Sequence, residues 1–204
     1  MSDPRGPYSS NDTPIFLSGH SSGAHVCSLL LLRQALGVPG YDTLPRSVAG
    51  FIGLSGVYDV AAHHEYEARR GVHEISGMGA CNGGVAGFHR NSPTTLAGML
   101  TKEQAEKLPP FLVLHGVEDE TVPFTSSLVF ANCLEGHGGR VKTGWLPGVN
   151  HQGTVAVLMM GGDSEVERQM AAFAAGWREG LGLWRGCRFI FAFSGLCFGW
   201  RGGL

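Results

Sequence analysis

The sequence is poor in everything that would commit it to a charged partner or a lipid bilayer. Only 16% of its 204 residues are charged, with 15 Lys and Arg against 17 Asp and Glu and a net charge of -2. That balance leaves no basic surplus to attract nucleic acid or an anionic membrane, and no run of like charges marks an interaction tail. No stretch reaches the roughly 18 consecutive apolar residues of a membrane-spanning helix. The opening Met-Ser-Asp-Pro-Arg-Gly-Pro holds no apolar core of the kind a secretory leader needs. Cys27, Cys81, Cys133, Cys187 and Cys197 are an odd, scattered set without a Cys-x-x-Cys pair. They read as reduced thiols in a cytoplasmic setting, with endomembrane association expected only where a longer protein carries an anchor. A phosphate-binding loop, a dinucleotide fingerprint and a His-Glu-x-x-His metal motif are all missing, so no cofactor and no metal is expected. His63-His64-Glu65 and His73-Glu74 lack metal-ligand spacing and read as polar loop.

What the chain has in excess is glycine, 32 residues, about twice the usual share. Much of it lies in 75–88 and after Gly180, which argues for long loops there. Between the glycines run short apolar segments. Ile15-Phe16-Leu17 predicts a buried strand that breaks at Ser18-Gly19, and Ala24–Leu36 predicts a helix apolar on most sides that stops at Gly37. Val48–Leu54 and Phe111–His115 predict two more buried strands, and Lys142–Leu146 a weaker fourth. Helices are expected at Thr101–Lys107, at Pro123–Leu134 and at Ser164–Leu181, the last opened by a Ser164-x-x-Glu167 capping box. Strands alternating with helices predict an α/β fold, a mostly parallel sheet with helices on both faces. The domain is expected over 13–182, after an irregular segment at 1–12. The polar, glycine-containing stretch 61–91 is expected as an irregular lid insertion, and the aromatic, glycine-broken residues 183–204 as an extension to the finished fold. A membrane-surface anchor is the second reading of that extension.

Gly19-His20-Ser21-Ser22-Gly23 stands between the first strand and the first helix. A sharp strand-to-helix turn lifts the serine hydroxyl clear of the sheet, and its flanking glycines relieve the crowding such a turn creates. The first amides of the helix then point to where negative charge would develop on a substrate oxygen. Ser21 is therefore the candidate nucleophile. Ser55, in Gly53-Leu54-Ser55-Gly56, lacks the second glycine at the right place and reads as a strand-end turn. A serine is too weak an acid to attack unaided and needs a histidine base oriented by a carboxylate. Asp119, in His115-Gly116-Val117-Glu118-Asp119-Glu120, follows the third strand at the edge where parallel sheets place their sites. Glu118 and Glu120 read as solvated loop charges, and Asp59 as a cap. His151, in Val149-Asn150-His151-Gln152-Gly153, follows the fourth strand and is the candidate base. His20 and His25 belong to the turn and its helix, His63, His64 and His73 to the insertion, and His137 to the surface.

These pieces, Gly19-His20-Ser21-Ser22-Gly23-Ala24-His25, then His115-Gly116-x-x-Asp119-x-x-Val122-Pro123, then Asn150-His151-Gln152-Gly153, resemble one group of enzymes. The chain is similar over about residues 13–180 to α/β-hydrolase carboxylesterases of the isoprenylcysteine α-carbonyl methylesterase and kynurenine formamidase kind. Phe51–Asp59, Arg70–Glu74 and Asn91–Thr94 strengthen the methylesterase likeness. The resemblance implies Ser21 as nucleophile, Asp119 as acid, His151 as base and the Ser22 amide as an oxyanion donor. It implies hydrolysis of a carboxylic ester, with a prenylcysteine-type or other small ester as substrate and an aryl formamide as the alternative. The group also carries a His-Gly-Gly oxyanion loop well upstream of its serine. The 18 residues before Gly19 lack one, so the chain is expected as the C-terminal two-thirds of such a hydrolase. A catalytically impaired piece that acts as a binding protein is the alternative function.

Overall fold

The computed structural model describes residues 15–41, 48–160, 164–179, 188–193 and 196–201, with the backbone alone described at 177–179 and in the last two segments. In chain order the elements are β1 (Ile15–His20), α1 (Ser22–Ala35), β2 (Val48–Leu54), α2 (Val60–Arg69), α3 (Met78–Cys81), α4 (Val85–Phe88), a 3₁₀ turn (His89–Asn91), α5 (Pro93–Ala97) and α6 (Lys102–Glu106). They continue as β3 (Phe111–Gly116), α7 (Thr125–Gly136), β4 (Val141–Leu146), α8 (Gly153–Met160), α9 (Glu165–Glu179), β5 (Arg188–Phe193) and β6 (Leu196–Arg201). One six-stranded sheet runs in the order β4-β3-β2-β1-β5-β6. All its pairs are parallel except β5–β6, which is antiparallel.

The alternation of side chains along each strand divides the core in two. Leu17, Phe51, Phe111 and Val113 turn to one face, where Ala24, Leu31 and Leu32 of α1, Leu96 of α5 and Phe130 and Leu134 of α7 cover them. Their neighbours Phe16, Ile52, Leu54, Leu112 and Leu114 turn to the other, under Val166, Met170 and Phe173 of α9. A strand buried on both faces can be apolar at consecutive positions, which is why these segments read as unbroken hydrophobic runs. Each fully buried Phe, Leu or Ile contributes roughly 1.5–3 kcal/mol through its removal from water. The capping box of α9 forms as its sequence predicts: Glu167 N–H donates to Ser164 Oγ at 3.1 Å, and Ser164 N–H to the Glu167 carboxylate at 3.2 Å.

Two regions differ from expectation. The stretch 61–91 is largely helical. Asp59 caps α2 by accepting from Ala62 N–H at 3.0 Å, and a buried His63–Glu67 pair at 3.3 Å, one helical turn apart, ties its inner face. Buried Val60 and Phe88 supply apolar anchors that the polar composition obscured. Residues 188–193 and 196–201, expected beyond the finished fold, supply β5 and β6. β5 runs parallel to β1 over Ile15–Gly19. The physical reason is that β1 offers β5 a strand edge on the side away from β2, and Arg-Phe-Ile-Phe-Ala-Phe has strong β propensity. The expectations for residues 1–12, 183–187 and 202–204 lie outside the described residues. Among the described residues no helix is long and apolar enough to cross a membrane.

Candidate active site

All three candidate side chains follow the C-terminal ends of parallel strands at one edge of the sheet, β1, β3 and β4. Ser21 leaves β1, and its amide still donates to the Leu54 carbonyl of β2 at 2.9 Å before the chain turns into α1. The turn holds Ser21 at φ 56°, a left-handed conformation unusual for a residue with a Cβ. It is tight enough that a Cβ on Gly19 would stand 2.4 Å from the Gly23 carbonyl carbon. Gly19 is thus explained by the approach of strand end to helix start. Ser21 is partly exposed. The amide of Ser22 lies in the first turn of α1, whose N–H groups have no acceptor within the helix.

The loop after β3 buries Asp119 while its neighbours Glu118 and Glu120 stay exposed. Asp119 Oδ1 accepts from the backbone N–H of Thr121 at 2.9 Å and of Val122 at 2.8 Å. Its Oδ2 faces two imidazoles, His151 Nδ1 at 2.7 Å and His115 Nε2 at 3.2 Å. Burial works against the charged carboxylate. The hydrogen bonds from His115, His151 and the Val122 amide, with the electrostatic pull of the nearby His151 ring, outweigh it and hold Asp119 well below the usual carboxylate range. An ionised Asp119 requires a proton on His151 Nδ1. That leaves the Nε2 lone pair as the basic position of the ring.

His151 is itself held from β1. His20 Nε2–H donates to the His151 carbonyl at 2.9 Å, and the two rings lie 4.6 Å apart. Burial keeps His20 below the ordinary histidine pKa, against the pull of that bond, so His20 is a neutral donor. The residue preceding Ser21 therefore touches the residue that Asp119 orients. Asp119 and His151 meet directly, and Ser21 adjoins them through His20.

The remaining sequence candidates fall elsewhere. Asp59 is the cap of α2. Ser55 follows the last residue of β2 and is fully buried. His25 Nε2 donates to the Asn91 carbonyl at 2.7 Å, and Arg33 reaches the Asn91 side chain at 2.5 Å, so the end of the 61–91 region is fastened to α1. His63 pairs with Glu67, His64 packs against Phe88 and His73, and His137 caps the end of α7 by bonding the Cys133 carbonyl at 2.8 Å. Tyr66 of α2 donates to the Glu120 carbonyl at 2.6 Å, which sets this helix over the loop that carries Asp119.

His115 is the residue the sequence reading left without a role. Its Nε2 also lies 2.9 Å from the Val122 carbonyl, and its Nδ1 2.6 Å from Ser127 Oγ. Two acceptors beside Nε2 place the proton there, so Nδ1 accepts from Ser127. His115 is fully buried and braces Asp119 from below. Its position four residues before the acid at a strand end was the available signal.

A parallel sheet flanked on both faces by helices, with a left-handed serine at the first strand–helix turn and a buried Asp–His pair at the same edge, defines an α/β hydrolase. Residues 46–179 match the prolyl oligopeptidase family, and the chain belongs to that family. It is 31% identical over 149 residues to the "Probable isoprenylcysteine alpha-carbonyl methylesterase ICME" of Oryza sativa subsp. japonica, which covers 72% of this chain and 36% of the rice protein. It is 27% identical over 141 residues to the isoprenylcysteine alpha-carbonyl methylesterase of Arabidopsis thaliana, 67% of this chain and 33% of that one. The chain thus spans about a third of the length of the curated relatives it matches. Among solved structures the acylaminoacyl peptidase of Pyrococcus horikoshii superposes with a TM-score of 0.58 at 15% identity, over 83% of this chain and 24% of that one. That likeness is one of fold.

Proposed function

We propose that this chain carries the nucleophile, acid and base of a serine carboxylesterase, and that Ser21 forms an acyl-enzyme. The observation that carries this reading is the buried 2.7 Å contact between His151 Nδ1 and Asp119, set beside the left-handed turn of Ser21. His151 Nε2 takes the Ser21 hydroxyl proton as Oγ attacks the ester carbonyl carbon. The tetrahedral oxyanion lies against the first amides of α1, with Ser22 N–H as a donor. The C–O bond to the alcohol then breaks, and the leaving alkoxide takes the proton back from His151. A water deprotonated by His151 attacks the acyl carbon, the acid is released, and Ser21 regains its proton.

The names of the curated relatives, together with 31% and 27% identity to them, support a prenylcysteine-type methyl ester as substrate. The helical region 61–91, fastened to α1 at Asn91 and to the acid loop by Tyr66, is proposed as the lid that shapes the acyl pocket.

The test is labelling of the purified chain with a fluorophosphonate, followed by peptide mass spectrometry and by turnover of S-prenylcysteine methyl ester, an aryl formamide and 4-nitrophenyl acetate. Adduct on Ser21, with methyl ester turnover lost in Ser21→Ala, is expected. A folded chain left unlabelled at Ser21 overturns the reading.

A further inference from the structure

The Asp119 contact fixes one end of the His151 ring, yet His151 sits in a loop, and its main chain needs an anchor of its own. That anchor converges on one atom, the His151 carbonyl oxygen. His20 Nε2–H reaches it from the end of β1, and Thr154 Oγ–H reaches it at 2.9 Å from the first turn of α8. Thr154 has a single hydroxyl proton, and the carbonyl takes it. In the 3.1 Å contact between Ser55 Oγ and Thr154 Oγ1, the donor is therefore Ser55. Both hydroxyls are fully buried. The relay thus runs from the end of β2, through α8, to the backbone of His151. Ser55 takes a left-handed φ of 47° at this point, a conformation a side chain with a Cβ adopts only when its surroundings enforce it.

We propose that Thr154 and Ser55 are positioning residues for His151, a two-hydroxyl strut that holds the histidine's backbone so that its ring meets Asp119 and Ser21 together. The proposal rests on His151 being the base. A purely structural role, satisfying the Thr154 hydroxyl in the first turn of a helix, would alter stability and leave the histidine's chemistry unmoved.

The test compares Thr154→Val, which keeps the shape and removes the hydroxyl, with Thr154→Ser, which restores it, and with Ser55→Ala. Two readouts are taken on the whole chain: the low-field proton resonance of His151 Nδ1–H, assigned by its loss in Asp119→Asn, and kcat and KM on 4-nitrophenyl acetate. In Thr154→Val the resonance is expected to shift or broaden, and kcat to fall about 10- to 100-fold, the range a misplaced catalytic group produces, with KM within about two-fold. Thr154→Ser is expected to recover the resonance and most of the rate, and Ser55→Ala to give a smaller loss in the same direction. An unchanged resonance and unchanged kcat in Thr154→Val overturn the strut. So does a loss that Thr154→Ser fails to recover. If the wild-type chain neither labels nor turns over, the esterase reading fails, while the resonance still decides whether the strut holds His151. If Thr154→Val does not fold, Ser55→Ala carries the same two readouts.

Discussion

Ser21 and Ser55 make an instructive pair. Each follows the last residue of a parallel strand, each takes a left-handed backbone, and each donates its amide to the neighbouring strand: Ser21 to Leu54, Ser55 to Leu114, both at 2.9 Å. Each is flanked by glycines. What differs is what the glycines make room for. A Cβ on Gly19 would collide with the backbone of Gly23, so Gly19 lets a helix begin directly over the strand end, with the serine at its mouth. A Cβ on Gly53 would stand 2.0 Å from Tyr58 Oη, and one on Gly56 2.4 Å from the Tyr58 ring. Those glycines accommodate a buried tyrosine stacked on Phe130 at 4.2 Å, and the serine between them is sealed in. Strain at a strand end is therefore shared by both sites. Exposure and an adjoining helix N-terminus belong only to Ser21.

The comparison breaks first on chemistry. Ser21→Ala is expected to abolish fluorophosphonate labelling and lower kcat by on the order of 10⁵–10⁶, as loss of a serine nucleophile does elsewhere. Ser55→Ala is expected to remain labelled at Ser21. Equal losses in the two variants, measured by steady-state turnover, would erase the distinction.

Asp119→Asn comes next, with kcat lower by about 10⁴ because His151 would present the wrong tautomer to Ser21. The same variant tests the acid limb of stability. The folded pKa of Asp119 lies below its unfolded value, so its contribution is complete above about pH 4 and is lost as the pH falls toward the folded pKa. Urea titrations are expected to show wild-type stability dropping below about pH 4, and a shallower drop in Asp119→Asn. Parallel curves would mean that Asp119 carries no such linkage.

Gly19→Ala attacks the geometry. Its Cβ meets backbone on the far side, which cannot swing away, so a loss of about 3 kcal/mol or more is expected, at the upper end of overpacking costs. Gly53→Ala meets the tip of a side chain, and about 2 kcal/mol is expected from chemical denaturation. If Gly19→Ala proved the milder of the two, the account of the Ser21 turn would be wrong.

Much of this was legible in the sequence because it is local. The turn at Ser21 is announced within a dozen residues by a strand, two glycines and a helix. Asp119 and His151 are each found by their place after a strand, since parallel strands deliver their ends to one edge. What escaped is long-range. Nothing near Thr154 says that its hydroxyl will meet Ser55, 99 residues earlier. His115 reads as one more buried strand residue until Asp119 folds back over it. The region 61–91 looked irregular because its polar residues outnumber its few buried anchors, and two of those polar residues of α2, His63 and Glu67, pair with each other inside the protein. The strand at 188–193 was unpredictable for a similar reason, since its partner β1 lies more than 150 residues away in the chain.

The smallest effect separates crowding from bonding at the Ser55 turn. Tyr58 is fully buried, and its hydroxyl has no hydrogen-bond partner among the described residues. A buried hydroxyl left unbonded carries its desolvation cost without return, so removing it is expected to be neutral or stabilising by up to about 1 kcal/mol. Tyr58→Phe is thus expected to hold or raise the denaturation midpoint while the ring keeps its stack on Phe130. In that background Gly53→Ala is expected to cost less than it does alone, because the oxygen nearest the new Cβ is gone. The contact with Phe51 at 2.9 Å remains, so the recovery is partial. A double-mutant cycle measured by thermal melting gives the coupling directly. Strict additivity would show that Gly53 is required for some reason other than Tyr58, and the contrast between the two glycine pairs would lose one of its two legs.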